Sequence, residues 1–202
     1  MMTSVAQTSG FDEDLPLIQA IQRGDAYAFG ELVRRHDRWV RGVLFGVLGN
    51  SDRLDDVAQQ TWTAMWTRIG ELREVAKWRP WLYRLARNAA IDAGREQTRR
   101  RKHKRESAMR AHSGQTRAGG SGEADSPDND LTRMETSREV LLAIEALPLL
   151  YREPFVLRHL SGWSYREIAE VMNMPVDSVE TRLVRARRFL RESLAGRLEA
   201  LR

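Results

Sequence analysis

The chain has 202 residues, a formal net charge of +5 and no cysteine. That length suits one or two small domains, the charge favours an anionic partner, and the absence of thiols excludes disulfides and cysteine-ligated zinc. No basic segment followed by an apolar run opens the chain, and no stretch approaches the ~20 apolar residues that span a bilayer, so neither a signal peptide nor membrane insertion is expected and the protein reads as cytoplasmic.

Residues 1–14 are polar and read as a flexible tail. Over 15–105 the pattern is helical throughout. Leu17, Ile18 and Ile21 begin a short helix that stops near Gly24. Asp25 caps the next, in which Phe29, Leu32, Val33, His36, Trp39, Val40, Val43, Leu44 and Val47 recur at three and four, and Gly49 closes it. Ser51 or Asp52 starts a third, with Leu54, Val57, Ala58, Thr61, Trp62, Met65 and Ile69 as its buried stripe and Gly70 at its end. A charged loop, Glu71 to Lys77, leads to Pro80, a residue well tolerated in a first helical turn. The helix that follows carries Trp81, Leu82, Leu85, Ala86 and Ala89, then passes into the basic run Arg95 to Arg105.

Residues 106–136 are rich in Gly, Ser and polar side chains without apolar periodicity, and read as a flexible linker. Residues 137–202 form a second helical unit. Val140, Leu141, Ile144 and Leu147 make one helix, ended before Pro148. Pro154 is expected in the first turn of the next, with Phe155, Val156 and Leu160. Ser164 and Glu167 then form a capping box, and Ile168, Ala169 and Met172 supply an apolar stripe. Asn173 suits a left-handed helix end, Pro175 blocks continuation, and Asp177 with Glu180 is expected to cap one more helix. This is the sequence form of a helix-turn-helix. In its second helix Val179, Leu183, Ala186 and Leu190 face the core, while Ser178, Thr181, Arg182, Arg185 and Arg188 face away. Such a face is either solvated charge or a grip on phosphates and base edges; the coincidence of cap, proline and arginines favours DNA. The fold class is all-α, two small helical domains joined by a linker.

Three features of the first unit exceed the needs of a core. Asp55, Asp56, Gln59, Gln60 and Thr63 form a polar face that is either plain solvation or a partner surface. Trp62, Trp66, Trp78, Trp81 and Tyr83 crowd one loop, as core or as platforms for unpaired bases. Arg84, Arg87, Asn88, Asp92 and Arg95 recur at helical spacing, as a salt-bridged face or as a grip on melted DNA. The four histidines are scattered, no glycine loop cradles phosphate and no metal spacing occurs, so no catalytic residue, cofactor or metal is expected.

Three segments carry a family resemblance. Asp55-Asp56-Val57-Ala58-Gln59-Gln60-Thr61-Trp62 is similar to region 2 of the sigma-70 family. The stretch from Trp78 through Pro80 and Asn88 to Asp92 resembles that family's promoter-melting segment. Leu147 to Arg158, then Gly162 to Ala169, resembles region 4. Their order and spacing resemble the extracytoplasmic function (ECF) group of RNA polymerase sigma factors, from Leu15 to Leu194.

The resemblance implies roles beyond the reach of composition. Asp55, Asp56, Gln59 and Gln60 would bind the coiled-coil clamp of the core polymerase β′ subunit, with the β subunit a further partner. The loop from Glu71 to Lys77, with Trp78, Arg84, Arg87, Asn88, Asp92 and Arg95, would capture and open the minus-ten element. Ser178, Thr181, Arg182, Arg185 and Arg188 would read the minus-thirty-five element of promoter DNA. An anti-sigma factor is a further partner that the family admits. Gln60 stands where the family often has Glu, and Glu180 where Lys is common. The chain ends soon after the second helix, so no added C-terminal sensory domain is expected. A linker of about thirty residues has a typical span of roughly 30 Å and a limit of about 100 Å, against roughly 70 Å between contact sites two DNA turns apart. The alternative is a stand-alone helix-turn-helix regulator that binds duplex DNA as a dimer.

Overall fold

The computed structural model describes residues 13–111 and 138–200, with side chains described except at residues 101, 104–111 and 196–200. Residues 1–12 of the expected tail and 112–136 of the expected linker lie outside the described residues. Among the described residues eight helices follow in order: α1 (Leu15–Gln22), α2 (Ala26–Leu48), α3 (Leu54–Arg68), α4 (Trp78–Ala111), α5 (described over 138–146), α6 (Leu149–His159), α7 (Tyr165–Met172) and α8 (Val176–Ala200). Two 3-10 turns, Ile69–Glu71 and Val75–Lys77, link α3 to α4. No strand occurs among the described residues.

The helix ends follow the local chemistry. Asp25 Oδ1 accepts from the backbone N–H groups of Tyr27 at 2.9 Å and Ala28 at 3.0 Å, which fixes the start of α2. Gly49 ends that helix at φ 72°, a left-handed conformation. The capping box of α7 is complete: Glu167 N–H donates to Ser164 Oγ at 3.2 Å, and Ser164 N–H donates to Glu167 Oε2 at 2.7 Å. Asn173 turns the chain at φ 52°, ψ 57°, and Met174 N–H reaches back to Ala169 O at 3.0 Å.

Four boundaries differ from the sequence reading. α3 starts at Leu54 without a side-chain cap; Asp55 and Asp56 in its first turn stabilise it by opposing the helix dipole. α8 starts at Val176, where Pro175 O accepts from Ser178 and Val179 N–H, so Asp177 lies inside the first turn and Glu180 is past any capping position. Pro154 is the sixth residue of α6 rather than one of its first turn. Its missing N–H forfeits a bond to the carbonyl of Leu150, a residue 49% exposed, where water can replace it. α4 runs on to Ala111, beyond the expected limit at 105.

α2 is the centre of the molecule. It packs against α1, α3 and α4 of the first module, and against α6 of the second. One apolar core joins both: Ile18, Leu32, Val40, Met65, Trp78 and Leu82 share it with Leu157, Ile168, Val179 and Leu183. The sequence predicts two units on a tether; the structure seats one against the other. Glycine permits the approach. A Cβ at Gly46 would lie 3.4 Å from Glu153 Cα, and one at Gly42 would lie 2.6 Å from Ser161 Oγ. Trp39 and Trp163 close the contact with ring centroids 5.0 Å apart.

Candidate functional site

The outward face of α8 is assembled as its spacing predicts. Val179, Leu183 and Ala186 are fully buried and hold the helix in place. Ser178, Thr181, Arg182 and Arg185 line one shallow groove with Tyr151 and Asp177, of about 300 Å³. Arg185 Nη1 donates to Tyr151 Oη at 3.4 Å. Arg188 lies further along, 3.6 Å from Glu192. At about 100° per residue, Glu180 sits roughly 160° round the helix from both Ser178 and Arg182. Its charge therefore falls on the flank of the helix and not within the arginine stripe.

On α4, Arg84, Asn88, Asp92 and Arg95 are all exposed and fall within an arc of roughly 80°. The remaining two candidates of this set stand apart. Trp78 is 0% exposed and packs in the core, its ring 4.9 Å from that of His36. Arg87 is turned about 60° from Arg84, toward the second module, where its Nε donates to Glu153 Oε1 at 2.8 Å. Trp62 and Tyr83 are buried as well, whereas Trp81 is half-buried and lies on the same arc as Arg84 and Asn88. The aromatic ring nearest to solvent beside the basic stripe is thus Trp81.

On α3, Asp55, Asp56, Gln59 and Gln60 are all exposed, opposite buried Val57, Ala58, Thr61 and Met65. Asp55 is ion-paired with Arg41 of α2, which Asp37 also holds; Asp37 in turn accepts from Trp62 Nε1 at 2.8 Å. Asp56 has no such partner among the described residues. The face continues into Thr63 and Trp66, which with Ala26 and Phe29 line a shallow groove of about 250 Å³. Trp66 was legible as part of the tryptophan cluster, but its place on this face needed the packing of Phe29 against it, at 5.0 Å.

The contact between the modules is charged as well as apolar. Glu153, 3% exposed, accepts from Arg87 Nε and from the Tyr83 hydroxyl. Burial, and then the Glu153 carboxylate, push the Tyr83 phenol far above its ordinary value. Burial works against the Arg87 charge, and Glu153 outweighs it, holding the guanidinium more firmly protonated. Arg152 donates to Gly46 O at 2.8 Å and Val47 O at 3.1 Å at the end of α2, and to Glu145 O at 2.6 Å near the end of α5, satisfying carbonyls that the helices leave open. Arg79 and Glu167 meet at 3.5 Å. His36, which falls within the apolar repeat of α2, is buried and bonded to Asp14 Oδ2 at 2.8 Å. Asp14 itself, assigned to the loose tail, is 3% exposed. No group of acidic, histidine or cysteine side chains suited to a metal ion occurs among the described residues.

Residues 32–100 match the family model described as Sigma-70 region 2, and residues 137–190 match that described as Sigma-70, region 4. The chain is 32% identical over 183 residues to the ECF RNA polymerase sigma-E factor of Haemophilus influenzae, covering 90% of this chain and 95% of that protein. Its fold resembles that of CnrH, solved in complex with the cytosolic domain of CnrY, at a TM-score of 0.63 and 25% identity, covering 91% of this chain and 97% of that one. The sigma factor RpoE of Bartonella quintana, solved with the anti-sigma factor NepR, shares the fold at a TM-score of 0.53 and 21% identity, over 83% of this chain and 96% of that one.

Proposed function

Because the chain belongs to the ECF group of the sigma-70 family, and is an alternative sigma factor that directs transcription initiation, we propose that it divides the work among three helix faces. Asp55, Asp56, Gln59 and Gln60 of α3 bind the β′ clamp coiled coil of core polymerase. Arg84, Asn88, Asp92 and Arg95 of α4 hold the minus-ten element as it melts, with Trp81 beside them and Trp78 supporting them from beneath. Arg87 joins that set when Glu153 releases it. Ser178, Thr181, Arg182, Arg185 and Arg188 of α8 read the minus-thirty-five element as duplex, while the β subunit contacts the second module.

The observation that carries this reading is the separation of the three polar sets onto three exposed faces, each backed by buried apolar residues. A basic stripe with a half-exposed ring suits single strands, where charge holds phosphates and the ring stacks on a base. A helix-turn-helix suits a groove. The chain contributes binding and positioning, and the chemistry of RNA synthesis belongs to the polymerase. The stand-alone regulator is not favoured, because similarity to a named ECF sigma factor runs through both modules. A relative solved with an anti-sigma factor supports a partner of that kind here. No helix among the described residues is long and apolar enough to cross a membrane, and a partner in the transcription machinery places the action in the cytoplasm.

The test is co-elution with core polymerase. Asp56 is exposed and has no ion-pair partner among the described residues, so Asp56→Arg leaves the fold intact and reverses the charge offered to the clamp. The wild-type chain co-elutes with core enzyme and the variant does not. Equal co-elution of both would move the clamp contact off α3.

A further inference from the structure

A cleft of about 500 Å³ opens between the middle of α2, the first turn of α4 and the turn that joins α6 to α7. We propose that it binds a free mononucleotide carrying two or three phosphates. Charge makes the first argument. Arg35, Arg38 and Arg79 line the cleft against a single carboxylate, that of Glu167. Arg38 is exposed and has no ion-pair partner among the described residues. Arg35 is shared by Glu31 at 2.6 Å and Asp14 at 3.2 Å. Arg79, its side chain 13% exposed, meets Glu167 Oε1 at 3.5 Å, while Glu167 Oε2 is committed to the Ser164 N–H at 2.7 Å. Both histidines of the wall lie in the field of these and neighbouring arginines. Burial comes first in holding each below its ordinary value; at His36 Asp14 opposes that and Arg79 and Arg35 add to it, and at His159 Arg187 and Arg158 add to it. A multiply charged phosphate chain brings the negative charge this wall lacks, and guanidinium forks bind phosphate oxygens two at a time.

Size and the remaining wall make the second argument. The cleft exceeds the grooves on α8 and α3, of about 300 and 250 Å³, and falls within the roughly 300–1,000 Å³ that encloses a small organic molecule. Inorganic phosphate would leave most of it unfilled, and a run of nucleotides would not fit. Part of the wall suits a base: Leu160 is apolar and 39% exposed, and His159 offers an imidazole ring, on which heterocycles stack as they do on other aromatic side chains. Two wall residues also carry unmade hydrogen bonds. Trp39 Nε1 and Ser161 Oγ are buried and have no partner among the described residues, a state that an oxygen-rich guest beside them suits. No residue assigned above to polymerase or to promoter DNA lines the cleft, so the proposal stands apart from the sigma-factor function.

Titration calorimetry on the full chain tests the site, in about 0.15 M salt, where charges more than ~8 Å apart at the surface are screened. ADP and ATP should each saturate one site below about 1 mM, and adenosine should not. Arg38→Ala trims an exposed side chain, spares the fold and should weaken ADP about 10- to 100-fold, as loss of a contact to a charged group does. Arg191→Ala makes the same charge change on α8, outside the cleft, and should leave ADP binding as it is. Leu160→Trp keeps the charge and fills the cleft, so it should abolish ADP binding; its melting curve shows whether it is folded. Nuclear magnetic resonance on the wild-type chain locates the site without any variant: ADP should shift the indole signals of Trp39 and Trp163 and the amide of Gly162. The proposal is overturned by shifts confined to the α4 stripe or the α8 arginines, by equal losses in Arg38→Ala and Arg191→Ala, or by no saturation below about 1 mM. It is also overturned if adenosine binds as tightly as ADP, or if short single-stranded DNA binds more tightly than ATP with the same dependence on Arg38, since the cleft would then serve a strand.

Discussion

Replacing Trp78 by Ala separates two roles that the sequence leaves open. The ring is 0% exposed, packs against His36 and has the Arg79 guanidinium 5.5 Å from its centre. Burying a tryptophan removes about 150–250 Å² from water, worth roughly 4–6 kcal/mol at 25 cal/mol per Å². Its indole N–H finds no partner among the described residues, which lowers the net contribution. A loss of about 3–5 kcal/mol is therefore expected, in line with Trp→Ala changes in cores generally. For a chain of this length that shifts the melting temperature by about 6–20 °C. Thermal unfolding followed by circular dichroism reads the shift directly. Trp81→Ala is the control: half-buried and on the stripe, it should cost less stability and impair promoter opening more. A Trp78→Ala protein that melts within about 2 °C of wild type yet fails to open promoter DNA would refute the core assignment and make Trp78 a base platform.

Two further outcomes follow from the geometry. Arg182→Ala should weaken promoter use by about 1–3 kcal/mol at one base position of the upstream element if the side chain pairs with a base edge; an equal loss on every promoter sequence would make it a phosphate contact. His36 is held below its ordinary value of 6.5, first by burial, with Asp14 opposing and Arg79 reinforcing the shift. The unfolded chain then binds the proton more readily, so the stability gained from a neutral His36 is present above pH 6.5 and lost as the pH falls through the lowered folded value. Melting temperature should drop between pH 7.5 and 5.5, less steeply in His36→Gln. A slope remains in that variant because His159 is shifted the same way, first by burial and then by Arg187. Identical slopes in the two proteins would remove His36 from the account.

Periodicity and caps are local, and the sequence exposes them fully. The box at Ser164 and Glu167, the left-handed Asn173, the glycine at 49 and the apolar stripes of α2, α3 and α8 all need only neighbours within a turn or two. What distinguishes Trp78 from Trp81, or Arg87 from Arg84, is not local. Each pair differs by three residues on one helix, and only packing against α2 and α6 decides which member is covered. Asp14 and His36 are likewise 22 residues apart, and their pairing depends on α1 folding back over α2. Glu153 reads as an ordinary helical acid. Its burial is a property of the module contact, at which Gly42 and Gly46 leave room for the approach.

The most direct measurement of the central claim is mapping of transcript starts in a reaction of purified chain, core polymerase and DNA carrying many upstream regions. The account predicts starts that appear only when the chain is added, aligned on two sequence elements at a fixed spacing. It is contradicted if core enzyme gains no new starts from the chain while the chain alone retards duplex DNA, because recognition would then not depend on polymerase.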